Sequence, residues 1–246
     1  MTERRNLFLC GVSLLALLLG SSKGDESDEN SIIRPRDCSD HLSNGKSESG
    51  VYPIYLNSQS ESESVNVYCD MDTEGGGWTV IQRRGNFTPL ENFYRNWNDY
   101  KQGFGNNERD FWLGNEKIHA LSTQVPVEIR FDLEDVRGNK RFAMYKSFQI
   151  DDESQNYTLH ISGYSGDAGD GMKYHDGQGF SAKDRGVDSR AAVALKGAWW
   201  VFEWAYVHLN GFYDPGMDDF QAVHWYKWLE NEGLAFAEMK LRQRSV

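Results

Sequence analysis

Gly75-Gly76-Gly77-Trp78-Thr79-Val80-Ile81-Gln82-Arg83-Arg84 is the stretch that decides how the chain folds. Three consecutive glycines interrupt whatever precedes them, since glycine alone enters positive φ without a steric penalty. Trp78 to Gln82 then reads as a strand, rich in β-branched and aromatic residues. Upstream, Val51-Tyr52-Pro53-Ile54-Tyr55 and Val65-Asn66-Val67-Tyr68-Cys69 read as two more, with serine-rich Ser58 to Ser64 as the loop between them. The expectation is a small N-terminal sheet.

Further towards the N-terminus, Arg4 and Arg5 precede an apolar run from Leu7 to Leu19, followed by small residues at Ser22 and Gly24. This is the pattern of a secretory signal over 1–24, and the run is short of the roughly 20 apolar residues that a spanning helix needs. Cys10 leaves with it, so Cys38 and Cys69 remain as an even pair in an oxidising compartment and are expected to bond to each other. Closing that loop is worth roughly 3–4 kcal/mol on a chain-entropy basis. A reactive thiol or a metal thiolate would need a third cysteine or a suitably spaced histidine, and neither is present. Asn86-Phe87-Thr88 and Asn156-Tyr157-Thr158 are N-glycosylation acceptors, consistent with secretion. Residues 25–34 form a flexible acidic leader, and 35–246 the globular part.

Leu113 to Leu121 has helical spacing, with Leu113, Ile118 and Leu121 on one side. Val127 to Leu133, Arg141 to Ile150 and Tyr157 to Tyr164 alternate apolar and polar and read as a central antiparallel sheet. Six glycines between Gly163 and Gly179 mark a loop. Trp199-Trp200-Val201-Phe202-Glu203-Trp204-Ala205-Tyr206 is either a sugar-stacking platform or core. Strand alternation would place Trp200, Phe202, Trp204 and Tyr206 on one face, with burial of at least one face favoured. Lys196, Glu203 and His208 interrupt the region and exclude a membrane span there.

Catalytic patterns are missing: there is no His-Glu-x-x-His, no Gly-x-Ser-x-Gly and no phosphate loop around Gly45-Lys46-Ser47. Asp151 and Asp152, as neighbours, point apart and suit a solvated turn rather than an acid/base pair. The six histidines show no metal spacing. A net charge of −11 argues against a nucleic-acid partner, whose phosphates demand basic side chains. Asp184 and Asp188, four apart in a polar loop, are the candidates for calcium, which takes six to eight oxygens. With Arg185 and Arg190 beside them, a solvated turn with salt bridges is the competing reading.

Asp37-Cys38, Gly50 to Ile54, Val67 to Met71, Gly75 to Arg84, Phe111-Trp112-Leu113-Gly114-Asn115, Lys196-Gly197-Ala198-Trp199-Trp200, Leu209-Asn210-Gly211 and Met239-Lys240-Leu241 occur in the order of a fibrinogen-related domain. Over residues 35–246 the chain resembles that family, and within it the techylectin-like and tachylectin-like lectins and the ficolins. The resemblance implies an α+β domain with a small N-terminal sheet clipped by Cys38–Cys69, a central twisted antiparallel sheet, and a loop-rich C-terminal part carrying calcium and ligand sites.

Departures from the pattern cluster in that C-terminal part. A second family disulfide would join the positions of Ala191 and Trp204, and its loss fits replacement by packed apolar contacts. The histidine next to it is Ala205. Aromatics of the acetyl-binding pocket fall near Gln221 and near Glu232 or Gly233, with Ala222 still resembling a wall residue. In the calcium loop one aspartate is Gly186, leaving Asp184 and Asp188. The expected function is a secreted recognition protein of innate defence that binds carbohydrate or N-acetylated microbial surface groups, with Trp204, Ala205, Gln221 and Ala222 as the ligand-binding candidates. The alternative is a protein-interaction factor, acting on a receptor or on haemostasis, that kept the scaffold and lost the sugar and calcium sites. An enzyme is not expected. With no stalk, avidity would come from association between domains, so a homo-oligomer is among the expectations.

Overall fold

The computed structural model describes Met1 and residues 34–56, 64–201 and 203–244. The expected signal, nearly all of the acidic leader and most of the Ser58 to Ser64 loop lie outside the described residues.

The main sheet is antiparallel, in the order Gly50–Ile54, Val65–Asp70, Trp78–Arg84, Phe236–Gln243, Val127–Glu134, Lys140–Ile150 and Leu159–Gly166. Two-residue strands at Phe104–Gly105 and Phe111–Trp112 branch from Trp78–Arg84. The N-terminal and central sheets expected from the sequence are thus one, because Phe236–Gln243 pairs with both. Ala237, Met239 and Leu241 alternate into the core. Glu238 and Lys240 are also buried: Lys240 Nζ lies 2.6 Å from Asp70, 2.7 Å from Asp132 and 3.3 Å from Glu238, and Glu238 also meets Arg83 at 2.7 Å. Buried charges survive only when paired in this way.

Gly76, at φ +77°, lies so close to Met71 that a Cβ would stand 2.4 Å from its carbonyl oxygen, so the turn ahead of Trp78 requires glycine. Cys38, in the Cys38–Ser43 helix, and Cys69 are bonded as expected. The helix begins at Asn115 rather than Leu113 and runs to Gln124, with Ile118 and Leu121 buried. Gln82 Nε2 donates to the Leu209 carbonyl and Asn210 Oδ1, and Arg84 Nη1 to the Leu209 and Gly211 carbonyls. These bonds tie the Trp78–Arg84 strand to the C-terminal loops.

The aromatic run departs from the expected alternation. Trp199–Trp200 is a two-residue strand beside Phe180–Ala182, which pairs in turn with Arg185–Gly186. Both tryptophans are fully buried. Trp200 packs against Trp112, Phe148 and Phe180, while Trp199 packs against Trp112, His175 and His208. With both faces covered, period-2 logic no longer separates inside from outside, and the chain leaves extended geometry at Glu203, φ +60°.

Candidate ligand-binding site

The C-terminal loops are organised by Asp188, which caps the Ser189–Leu195 helix. Its Oδ1 accepts the Ala191 N–H at 3.0 Å, its Oδ2 the Glu203 N–H at 3.4 Å, and its own N–H donates to Ser181 Oγ at 2.8 Å. The carboxylate therefore links Ala191 to the residue before Trp204, the two segments that the second family disulfide would join. The expected apolar plug is not what takes the place of that bond. Trp204 is 42% exposed, and its ring meets Phe220 at 6.2 Å and Tyr226 at 6.4 Å.

Asp184 is committed elsewhere. Its Oδ1 accepts the Trp97 N–H at 2.8 Å, fastening this loop to the Trp97–Gln102 helix. Gly186 lies in the Arg185–Gly186 strand at φ +123°, where a Cβ would stand 2.4 Å from the Phe180 carbonyl oxygen. A carboxylate at 186 is sterically incompatible with that pairing. Among the described residues no group of three or more His, Cys, Asp or Glu side chains converges as metal ligands. Asp184 and Asp188 thus each already accept backbone N–H groups.

The four ligand-binding candidates separate. Ala205 and Ala222 are buried, and their carbonyls flank one imidazole, His224 Nε2 lying 3.1 Å from Ala205 O and Nδ1 2.9 Å from Ala222 O. Gln221 turns its amide to the Ala194 carbonyl at 2.8 Å. Trp204 is the most exposed of the four, and Gln221 is partly exposed.

Trp204 belongs to a ledge of rings. Phe220, 38% exposed, adjoins Trp204; Trp204 adjoins Tyr226; Tyr226 meets Tyr206 edge-on at 5.6 Å; and Tyr206 stacks on Tyr174 at 3.9 Å and 17°. Lys227 Nζ lies 5.0 Å from the Tyr174 ring centre and 5.4 Å from that of Tyr206. A hydrogen bond from Lys227 and the nearby positive charges hold the Tyr174 phenol below its usual range. Sequence reading singles out Trp204 and misses Phe220, Tyr226, Tyr174 and Lys227, which come from stretches away from it in the chain; an aromatic excess of 13% is the only signal.

Of the glycosylation acceptors, Asn86 is exposed in a loop. Asn156 is half-buried in the left-handed region at φ +51°, its carbonyl accepts the Phe180 N–H at 2.7 Å, and the next residue, Tyr157, is fully buried.

Comparison with known proteins agrees with this geometry. The family described as fibrinogen beta and gamma chains, C-terminal globular domain, matches residues 34–244. Techylectin-5A of Tachypleus tridentatus is 41% identical over 264 aligned residues, covering 98% of this chain and 90% of that protein. Human tenascin-R is 44% identical across 85% of this chain, which spans 15% of tenascin-R. The fibrinogen-like globe domain of human ANGPTL2 superimposes with a TM-score of 0.80 at 35% identity, covering 86% of this chain and all of that one. Lamprey fibrin D-dimer, solved with the peptide Gly-His-Arg-Pro-amide, gives 0.78 at 32% identity, covering 87% of this chain and 76% of that one. No helix of the described residues is long and apolar enough to cross a membrane. The chain is a recognition protein rather than an enzyme, and it belongs to the fibrinogen C-terminal globular domain family.

Proposed function

We propose that this is a secreted, lectin-like recognition protein of innate defence that binds carbohydrate or N-acetylated surface groups on the ring ledge, without a calcium ion. The observation that carries the reading is the exposed Trp204 face beside Phe220, joined through Tyr226 to the Tyr206–Tyr174 stack. Rings exposed together offer the flat apolar surface against which the C–H face of a pyranose packs, while phenol and ammonium groups at the Tyr174 end supply hydrogen bonds to its hydroxyls. The 41% identity with a protein called a lectin supports this reading. Secretion is supported by the signal-like N-terminus and by the Cys38–Cys69 bond, which belongs to oxidising compartments.

A glycan array with the secreted protein, run with calcium and with chelator, tests the proposal. Binding that persists in chelator and is lost in Trp204→Ala is the expected result. No retention on any glycan in either condition sinks it.

The ledge also suits a second reading, a protein partner, since exposed aromatics beside a lysine are the residues enriched at protein interfaces and in cation–π contacts. Its similarity to tenascin-R and to a fibrin solved with a peptide ligand supports that alternative. Cross-linking on cells that captures a defined protein, competed by no sugar and lost in Trp204→Ala, would favour it.

A further inference from the structure

A cavity of about 580 Å³ opens between the 90–94 loop and the 211–221 loop, lined by Gln221 but by none of the rings of the ledge. That volume is typical of a small-molecule site, about 300–1,000 Å³. Its walls are largely apolar: Leu90 is 54% exposed and Phe212 59% exposed, both unusual for large apolar side chains, with Met217 beside them. Arg84, 1% exposed, also lines it.

Arg84 is bonded unevenly. Nη1 donates to two carbonyls, those of Leu209 at 3.0 Å and Gly211 at 2.8 Å. The guanidinium covers the Phe93 ring at 3.8 Å. Nε has no hydrogen-bond acceptor and lies 4.0 Å from Asp110 Oδ1, which accepts instead from the Gly85 N–H at 2.8 Å. A buried guanidinium N–H left without an acceptor is expensive, because it forfeits its hydration without replacement. The other charges are arranged to leave a net positive site. Asp110 offsets Arg84, Glu91 is paired with Arg95 at 2.6 Å, and Lys196, over the Tyr94 ring at 5.2 Å, has no ion pair among the described residues.

We propose that this cavity binds a monocarboxylate with an apolar body, its carboxylate on Arg84 and its ring or chain between Leu90, Phe212 and Met217. The carboxylate supplies the acceptor that Arg84 lacks, Lys196 at the mouth balances the added charge, and the apolar body covers the side chains otherwise left to water. A neutral amide of the same shape would accept a hydrogen bond but forgo the charge.

Phenylbutyrate and phenylbutyramide, titrated calorimetrically into the full secreted chain, test the proposal. The acid is expected to bind at least about tenfold more tightly than the amide, the difference between a charge-assisted and a neutral hydrogen bond. Arg84→Lys is informative only if it folds, since Arg84 also clamps Leu209 and Gly211. Leu90→Glu, at the exposed mouth, is therefore the decisive variant and should weaken the acid by about tenfold or more through like-charge repulsion. Trp204→Ala should leave the titration unchanged, which separates this site from the ledge. Equal affinity for acid and amide, no heat with the acid, or an unaffected Leu90→Glu variant would each overturn the proposal.

Discussion

The Asp188 carboxylate reaches the Glu203 N–H at 3.4 Å while holding the Ala191 N–H on its other oxygen. One side chain so joins, by hydrogen bonds, the two segments that the family resemblance expects a second disulfide to link. Asp188→Ala should cost about 1–2 kcal/mol, the usual loss for removing a helix N-cap, and should speed amide hydrogen exchange across 201–206 more than in the main sheet. Equal acceleration everywhere would contradict a local brace.

Asp184 holds the Trp97 N–H, so chelator should leave the melting temperature of the mature protein unchanged. Asp184→Ala should lower stability by about 1 kcal/mol, the order of one hydrogen bond, with or without calcium. Scanning calorimetry in the two buffers checks this. A calcium-dependent rise in the wild type that Asp184→Ala removes would show that the carboxylate serves an ion.

Trp204→Ala should change stability by about 1 kcal/mol or less, because the ring is exposed and leaves little cavity. Glycan binding should nevertheless fall by about tenfold or more, the ring being the flat end of the ledge. Array signal and urea midpoint, measured on the same preparation, separate the two effects.

Three buried histidines make stability depend on pH. Burial lowers His175 to about 4, and it also pushes down His208, aided by neighbouring His224, and His224 itself. Arg84 adds to the suppression of His208, while Asp219 works the other way on His224. Their folded values lie below the unfolded value, so the unfolded chain binds more protons below pH 6.5 and stability falls as pH drops from 6.5 towards 4. Each contributes a slope of about 1.4 kcal/mol per pH unit within its window. Urea denaturation at intervals from pH 7.5 to 4.5 should show the decline, flattened in His208→Gln if that variant folds. A flat wild-type profile would remove the argument.

Glycan should occupy Asn86 and spare Asn156. Oligosaccharide transfer needs an accessible, extended acceptor, and Asn156 precedes a fully buried tyrosine in a left-handed turn. Intact mass before and after enzymatic deglycosylation should show one occupied site, removed by Asn86→Gln.

The fold was legible wherever a local pattern carried it. The glycine run, the strand alternation of 127–133 and 141–150, and the cysteine pair each translate directly into backbone geometry. Phe236–Gln243 is harder to place, because charged Glu238 and Lys240 interrupt its apolar pattern and are buried by ion pairs with residues more than a hundred positions away, apart from the Lys240–Glu238 pair. The candidate site was less legible. Trp204 could be singled out from its aromatic neighbourhood, but Phe220, Tyr226 and Tyr174 reach it from distant loops, and a one-dimensional pattern does not show which rings meet. Asp188 was chosen as an ion ligand on its spacing, and spacing alone does not distinguish an oxygen that awaits a cation from one that caps a helix.

The placement of Phe236–Gln243 between Trp78–Arg84 and Val127–Glu134 has a bearing on biosynthesis. A ribosome delivers both neighbours long before this strand, so each presents an open hydrogen-bonding edge while more than a hundred further residues are made. Such edges invite pairing with other chains. Conditions that slow release of the last segment should therefore favour aggregates, and a premature stop anywhere before 236 should yield an aggregation-prone chain rather than a smaller folded product.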